Sequence, residues 1–305
     1  MLIAIVPASP KTGRAAIHAL LNSTATTAPI TVKGVYRDLS RVPEEFLSNP
    51  HFQAVKGDVS DATSLDLTGV DAVLAITPPI YDGTDFLACA RTASENTRLA
   101  IQKSGSVQRL VLLSSFGAEH ESGTGEIMSN HIAETVLKDA AKEVVLARCT
   151  YFMENWAPGV ETVKSEHPHL YTYITPVDFE VPMVAVKDMG QAFAHYLLAP
   201  SIPESPYIVE VHGPRPYTSK DVQRAFEEAV GKDVELRLVE KKDLSQFFAA
   251  FLPKNTAEAF TEMTTAFLPG GVMANAYVEN SSSARIWRGK TELNDAIREL
   301  CEGSR

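Results

Sequence analysis

The chain of 305 residues predicts an α/β fold, a Rossmann-like doubly wound parallel sheet with helices on both faces and a smaller C-terminal α/β lobe. Three observations carry the prediction. The first residues, MLIAIVPASPKTGRAAIHALL, read as an apolar strand, a tight turn and an amphipathic helix. Short apolar runs then alternate with stretches of helical periodicity through the first half of the chain. The run Asp71 to Thr77 is almost wholly apolar, which implies burial on both faces, as in a parallel sheet.

The opening turn sets the frame. In a dinucleotide-binding βαβ unit, glycines at its first, fourth and seventh positions let the backbone turn sharply and approach a pyrophosphate on the helix N-terminus. Those positions here are Pro7, Pro10 and Gly13, so two of the three glycines are replaced. Ser9 is the expected N-cap and Pro10 the expected first helical residue, where a missing N–H costs nothing. Lys11, Thr12 and Arg14 supply charge and hydroxyl donors that offset the lost amide. The turn is read either as a phosphate site or as a plain connection.

The second strand, Ile30 to Tyr36, ends in Arg37 and Asp38, with Arg41 close behind. An acidic residue at this place favours a free ribose 2′-hydroxyl, and an Arg accommodates a 2′-phosphate. Arg37 comes first, which favours NADP(H), although Asp38 pulls the other way and a solvated loop end is the bland alternative. Phe52 to Val55 is a third strand leading into Gly57 and Asp58. The fourth, Asp71 to Thr77, stops at Pro78 and Pro79, so the backbone leaves the sheet at its carboxyl end; Thr77 and Pro78 either line a cofactor cleft or merely terminate a strand. Asp85 to Lys103 is a helix, and Val107 to Leu113 a fifth strand closing on Ser114, Ser115 and Phe116; the two serine hydroxyls are placed to bond a nicotinamide or a substrate carbonyl. A helix over Asn130 to Asp139 and a sixth strand over Glu143 to Arg148 complete the predicted sheet.

The remainder reads as the substrate side. Lys164 to Thr175, with its His-Pro-His, is expected to be a surface loop and not a metal site. Val181 to Val186 is a strand and Met189 to Leu198 a helix; Tyr207 to Val211 and Val234 to Val239 are strands, and Ser219 to Val230 is an amphipathic helix capped by Thr218 or Ser219. From Leu244 to Phe267 bulky apolar residues recur at helical spacing, a set that includes Phe248 and Phe267. The working division is a dinucleotide-binding domain at 1–155 and a mainly substrate-binding lobe at 156–305, interleaved with the first.

Composition narrows the partners. A net charge of −10 argues against nucleic acid or an anionic membrane surface. No apolar run approaches the length of a membrane span, and the chain reads as cytoplasmic. Three widely spaced cysteines, Cys89, Cys149 and Cys301, suggest neither a disulfide framework nor zinc. The oligomeric state stays open.

Four stretches carry a resemblance: TPP at 77–79, LLSSFGA at 112–118, NHIAE at 130–134 and ARCTYFMENW at 147–156. With VPMVAVKDMGQAFAHYL at 181–197 and GKTELNDAI at 289–297, the chain resembles the NmrA-like family of atypical short-chain dehydrogenase/reductase proteins. The resemblance implies a Rossmann-like fold, NAD(P)H as cofactor, His131 near the nicotinamide ribose, and a substrate pocket lined by Phe152, Asn155 and Trp156. None of the nine tyrosines has Lys four residues later, so the acid pair of ordinary short-chain dehydrogenases is absent.

His131 and Tyr151 are the candidate proton donors, since imidazole ordinarily titrates near neutrality and a phenol after the sixth strand can face a substrate. The expected cofactor contacts are Ser9, Lys11, Thr12, Gly13, Arg37, Asp58, Thr77, Pro78, Ser114 and Ser115; the expected substrate contacts are Phe116, Phe152, Asn155, Trp156, Phe248 and Phe267. A large apolar lid suits a quinone, an enone or a natural-product intermediate. The leading expectation is an NADPH-dependent reductase, ahead of a non-redox isomerase or cyclase and of a non-catalytic nucleotide sensor with a protein partner.

Overall fold

The structure, a computed structural model, describes residues 1–25, 29–274 and 285–303. In chain order the first half contains β1 (Leu2–Val6), α1 (Lys11–Leu21), β2 (Thr31–Tyr36), α2 (Glu44–Leu47), β3 (Phe52–Lys56), β4 (Ala72–Ile76) and α3 (Phe86–Ser104). It continues with β5 (Arg109–Ser115), α4 (Met128–Leu137), β6 (Glu143–Cys149) and β7 (Tyr151–Phe152). Then follow α5 (Gly159–Val163), β8 (His169–Thr172), β9 (Val181–Val184), α6 (Val186–Leu198), β10 (Tyr207–His212), β11 (Pro216–Tyr217) and α7 (Ser219–Val230). The last are β12 (Glu235–Leu238), α8 (Leu244–Ala249), α9 (Lys254–Phe267), β13 (Ile286–Arg288) and α10 (Leu293–Glu302).

Eight strands form one parallel sheet in the order β13-β10-β6-β5-β4-β1-β2-β3. Its six sequence-predicted strands take the doubly wound order, in which the turn after β1 lies at the switch point. β10 and β13 extend the sheet beyond β6. Central strands β1 and β4 are buried along nearly their whole length, which is why they read as continuous apolar runs. One face packs Ile5, Val111 and Val145 against Ile17 and Leu20 of α1 and Met189 and Phe193 of α6. The other packs Val6, Val73 and Leu110 against Ile101 of α3 and Leu137 of α4. A third cluster joins Phe116, Met153 and Trp156 to Phe226, Phe248, Phe267 and Ile297 beyond the carboxyl ends of the strands.

Several boundaries differ from the sequence reading. Pro10, in extended conformation, is itself the N-cap of α1; Ser9 is exposed and caps nothing. α6 starts at Val186, three residues early, because the distant Glu154 carboxylate accepts the Val186 N–H at 2.9 and 3.0 Å. The expected loop over Lys164 to Thr175 contains β8, which pairs in parallel with β12. The stretch from Leu244 to Phe267 is two helices, broken where Pro253 caps α9. The capping box of α7 is present, Thr218 and Asp221 bonding each other's backbone N–H groups. The Asp188 carboxylate of α6 accepts the Thr291 N–H at 2.8 Å, tying the residues just before α10 to α6. Among the described residues no helix is long and apolar enough to cross a membrane.

Candidate functional site

A cavity of about 720 Å³ lies at the carboxyl ends of the central strands. Its floor begins at Pro10, Lys11 and Thr12 at the start of α1. Gly13 explains how α1 comes so close to the turn: a Cβ there would sit 2.7 Å from the Ala8 carbonyl oxygen. The Ala8 N–H in turn donates to the Val35 oxygen of β2 at 2.8 Å, holding the turn on the sheet. The amides of Lys11, Thr12 and Gly13 open the helix and have no carbonyl of an earlier helical turn to pair with. With the dipole of α1 behind them, they make the N-terminus an anion-accepting end.

From there the wall runs through Ile76, Thr77 and Pro79 after β4, then Leu113, Ser114, Ser115 and Phe116 at the end of β5. The Ser114 hydroxyl is already engaged, donating to Glu134 Oε1 at 2.5 Å, and Arg148 forks onto the same carboxylate at 2.9 and 2.8 Å. That network, buried behind β5, leaves the serine only its acceptor capacity toward a ligand. The Ser115 hydroxyl bonds the Phe116 carbonyl at 3.0 Å.

The far side is aromatic. Tyr151, Phe152, Asn155 and Trp156 follow β6 and line the cavity, as do Phe248 of α8 and Phe267 of α9. Phe248 meets Phe260 at 5.6 Å and Tyr173 at 5.5 Å, and Tyr81 stands edge-on to Phe260 at 5.2 Å. The Asn255 amide nitrogen, in the first turn of α9, bonds the Gly83 and Thr84 carbonyls at 3.0 and 2.9 Å. The roof is thereby tied to the segment that leaves β4.

The polar groups inside are few. The Tyr151 and Tyr173 hydroxyls lie 2.9 Å apart, and Asn155 lines the same cavity. Burial pushes the Tyr151 phenol well above the usual tyrosine range and raises that of Tyr173. Burial likewise raises Glu154, against the Val186 N–H and the Lys11 charge that favour its carboxylate. Glu126 also borders the cavity, and burial raises its carboxyl above the usual range.

The structure therefore gathers Lys11, Thr12, Thr77, Ser114, Ser115, Phe116, Tyr151, Phe152, Asn155, Trp156, Phe248 and Phe267 around one space. It does not bring Ser9, Gly13, Pro78 or His131 to the cavity wall. His131 holds the Ala118 carbonyl through Nδ1 at 2.9 Å, and its neighbour Asn130 is the residue of α4 that faces in. Arg37 is exposed at the end of β2, outside the cavity, and Asp58 turns back to accept the Ser60 N–H at 2.9 Å. Glu126, Tyr173 and Tyr81 were not singled out from the sequence. Tyr173 follows the unrecognised strand β8, and nothing in Gly125-Glu126-Ile127 marks a buried carboxyl.

The comparisons bear on the family and the fold. The NmrA-like family model matches residues 1–297, and the chain belongs to that family. Among solved structures, an NADPH-dependent quinone oxidoreductase from Escherichia coli in complex with NADPH superposes with TM-score 0.71 at 16% identity, covering 98% of this chain and 99% of that one. Triphenylmethane reductase from Citrobacter sp. with NADP(H) gives TM-score 0.69 at 16% identity, over 98% and 99%. Leucoanthocyanidin reductase from Vitis vinifera gives 0.66 at 13% identity, over 99% and 100%. A comparison with curated protein sequences finds no match.

Proposed function

We propose that the chain is an NADPH-dependent reductase of an apolar, unsaturated small molecule, such as a quinone or an enone. One observation carries this reading: a single cavity begins at the start of α1 and ends beneath Phe248 and Phe267. A phosphate-accepting end and an apolar end in one space suit a cofactor lying against its acceptor.

The residues present fit such a cofactor. The first-turn amides of α1, the Lys11 ammonium and the Thr12 hydroxyl face phosphate, while the ring of Pro10 contributes no donor. Arg37, with Arg41 and Lys56 near the same strand end, gives a 2′-phosphate a positive setting, and the Asp38 carboxylate is drawn back by the Ser40 hydroxyl and N–H. Bound there, a dihydronicotinamide supplies hydride. Thr77 and Ser115 orient the ring end, the phenyl groups exclude water, and the Tyr151–Tyr173 pair donates a hydrogen bond to a substrate oxygen. The family namings of the Escherichia coli and Citrobacter proteins support the choice of cofactor.

Calorimetric titration with NADPH, NADH and their oxidised forms tests the reading, followed by hydride transfer to menadione and 2-cyclohexenone. Micromolar NADPH binding, about −8 kcal/mol, with consumption of either acceptor is the expected result. No binding of any form retires the reductase. The proline-substituted turn then favours the second reading, a cofactor-free isomerase or cyclase using the same apolar cavity.

A further inference from the structure

Glu126 lines the cavity with only a weak partner among the described residues. Other carboxylates packed into the fold have strong partners: Glu134 has Arg148, Glu143 has Arg109, Asp188 has the Thr291 N–H and Glu154 the Val186 N–H. Among the described residues Glu126 has no ion pair, and its hydrogen bond is to the Ser129 hydroxyl at 3.5 Å, the outer limit of such a contact. Glu126 is half-buried and lines the cavity, as do Tyr81, Phe116, Ile127, Phe260 and Met263. The ionisable neighbour that senses it is Tyr81.

Its position is built by backbone packing. Residues Gly125–Ile127 form one turn of 3-10 helix laid directly on α9. Gly125 has φ +55, and a Cβ there would fall 2.0 Å from the Ala259 oxygen and 2.6 Å from the Met263 nitrogen. Only glycine allows this contact, which sets the next side chain beside the lid helix.

With no ion pair among the described residues, burial disfavours the Glu126 carboxylate and favours its neutral acid. Its competitors are weaker or elsewhere: burial makes the Tyr151 phenol a weaker acid, fit to donate a hydrogen bond but not to give up its proton, and His131 lies off the cavity wall. We propose that Glu126 is the acid of this cavity, donating a hydrogen bond and then its proton to the oxygen of an apolar carbonyl ligand. The inference deepens the reductase reading and rests on it for the reaction. A dihydronicotinamide would supply hydride to the β carbon of the conjugated ligand; the C=C pair would shift to the adjoining C–C bond and the carbonyl π pair to oxygen, where it would form the new O–H bond. The Glu126 O–H bond breaks with its pair left on the carboxylate, which is reprotonated from water.

Infrared difference spectra of the wild type against Glu126→Gln at neutral pH read the carboxyl without any turnover. A protonated-carboxyl band that disappears in the variant and moves when menadione is added is the expected result; a carboxylate band overturns the proposal. In single turnovers with NADPH and menadione, Glu126→Gln should slow hydride transfer by about 10²–10⁴-fold while menadione binding changes little, and Glu126→Asp should recover part of the rate. An unchanged rate in the Gln variant also overturns it. A wild type that transfers no hydride to any acceptor overturns the reductase reading alone, because the infrared band still decides the acid.

Discussion

Arg37→Ala separates the two nicotinamide cofactors. The side chain is exposed at the end of β2 and has no ion pair among the described residues, so its removal leaves the folded protein intact. A charge-assisted hydrogen bond contributes about 1.5–3 kcal/mol, and exposure to salt keeps an open site near the lower end. Arg41 and Lys56, which act on the same Asp38 carboxylate, retain part of the field. NADPH should therefore bind roughly ten- to thirtyfold more weakly, taking about 1.4 kcal/mol as tenfold, whereas NADH affinity should barely move. Calorimetry at low and high salt measures both, and the NADPH penalty should shrink as salt rises. Equal losses for the two cofactors, or no loss for NADPH, would refute assignment of the 2′-phosphate to this strand end.

Three further outcomes follow from packing and charge. Glu134→Ala strands the Arg148 guanidinium behind β5; breaking such a pair costs about 3–5 kcal/mol, and Glu119, 3.0 Å away, holds the loss near the lower figure. Thermal denaturation should show a drop of roughly 6 °C, largely recovered in Glu134→Ala with Arg148→Met; a drop under about 2 °C would contradict the buried network. Gly125→Ala forces the turn off α9 and should cost about 1–3 kcal/mol while weakening menadione binding, so an unaltered melting temperature would mean the contact yields freely. Burial raises the folded pKa of Glu126 above its unfolded value, near 4.3, so the wild type is favoured below that pH and loses stability as pH climbs toward the folded pKa. Glu126→Gln has no such proton, and its melting temperature should gain on the wild type as pH rises from about 4; a gap independent of pH would exclude the raised pKa.

Much of the fold is legible from local pattern. β1, β4 and β5 are continuous apolar runs because a parallel sheet covers both their faces, and α1 and α7 show one apolar stripe because one face of each is buried. The positions of Lys11, Thr12, Thr77 and Tyr151 at the carboxyl edge follow from the order of strands alone. β7, β8, β11 and β13 escape such reading: they are two to four residues long and are strands only because a distant strand pairs with them.

The sequence by itself determined the parallel sheet, the crossover helices, the altered phosphate turn and the aromatic supply of the C-terminal half, since each depends on residues adjacent in the chain. Tertiary structure alone decided what those residues do to one another. It spent the Ser114 hydroxyl on Glu134, capped α6 with a carboxylate from 32 residues away, kept His131 off the cavity wall, and left Glu126 without a counter-charge among the described residues. Burial and pairing are sums over neighbours far apart in sequence, so a carboxyl inside an aromatic cavity reads like any surface glutamate until the chain has folded around it.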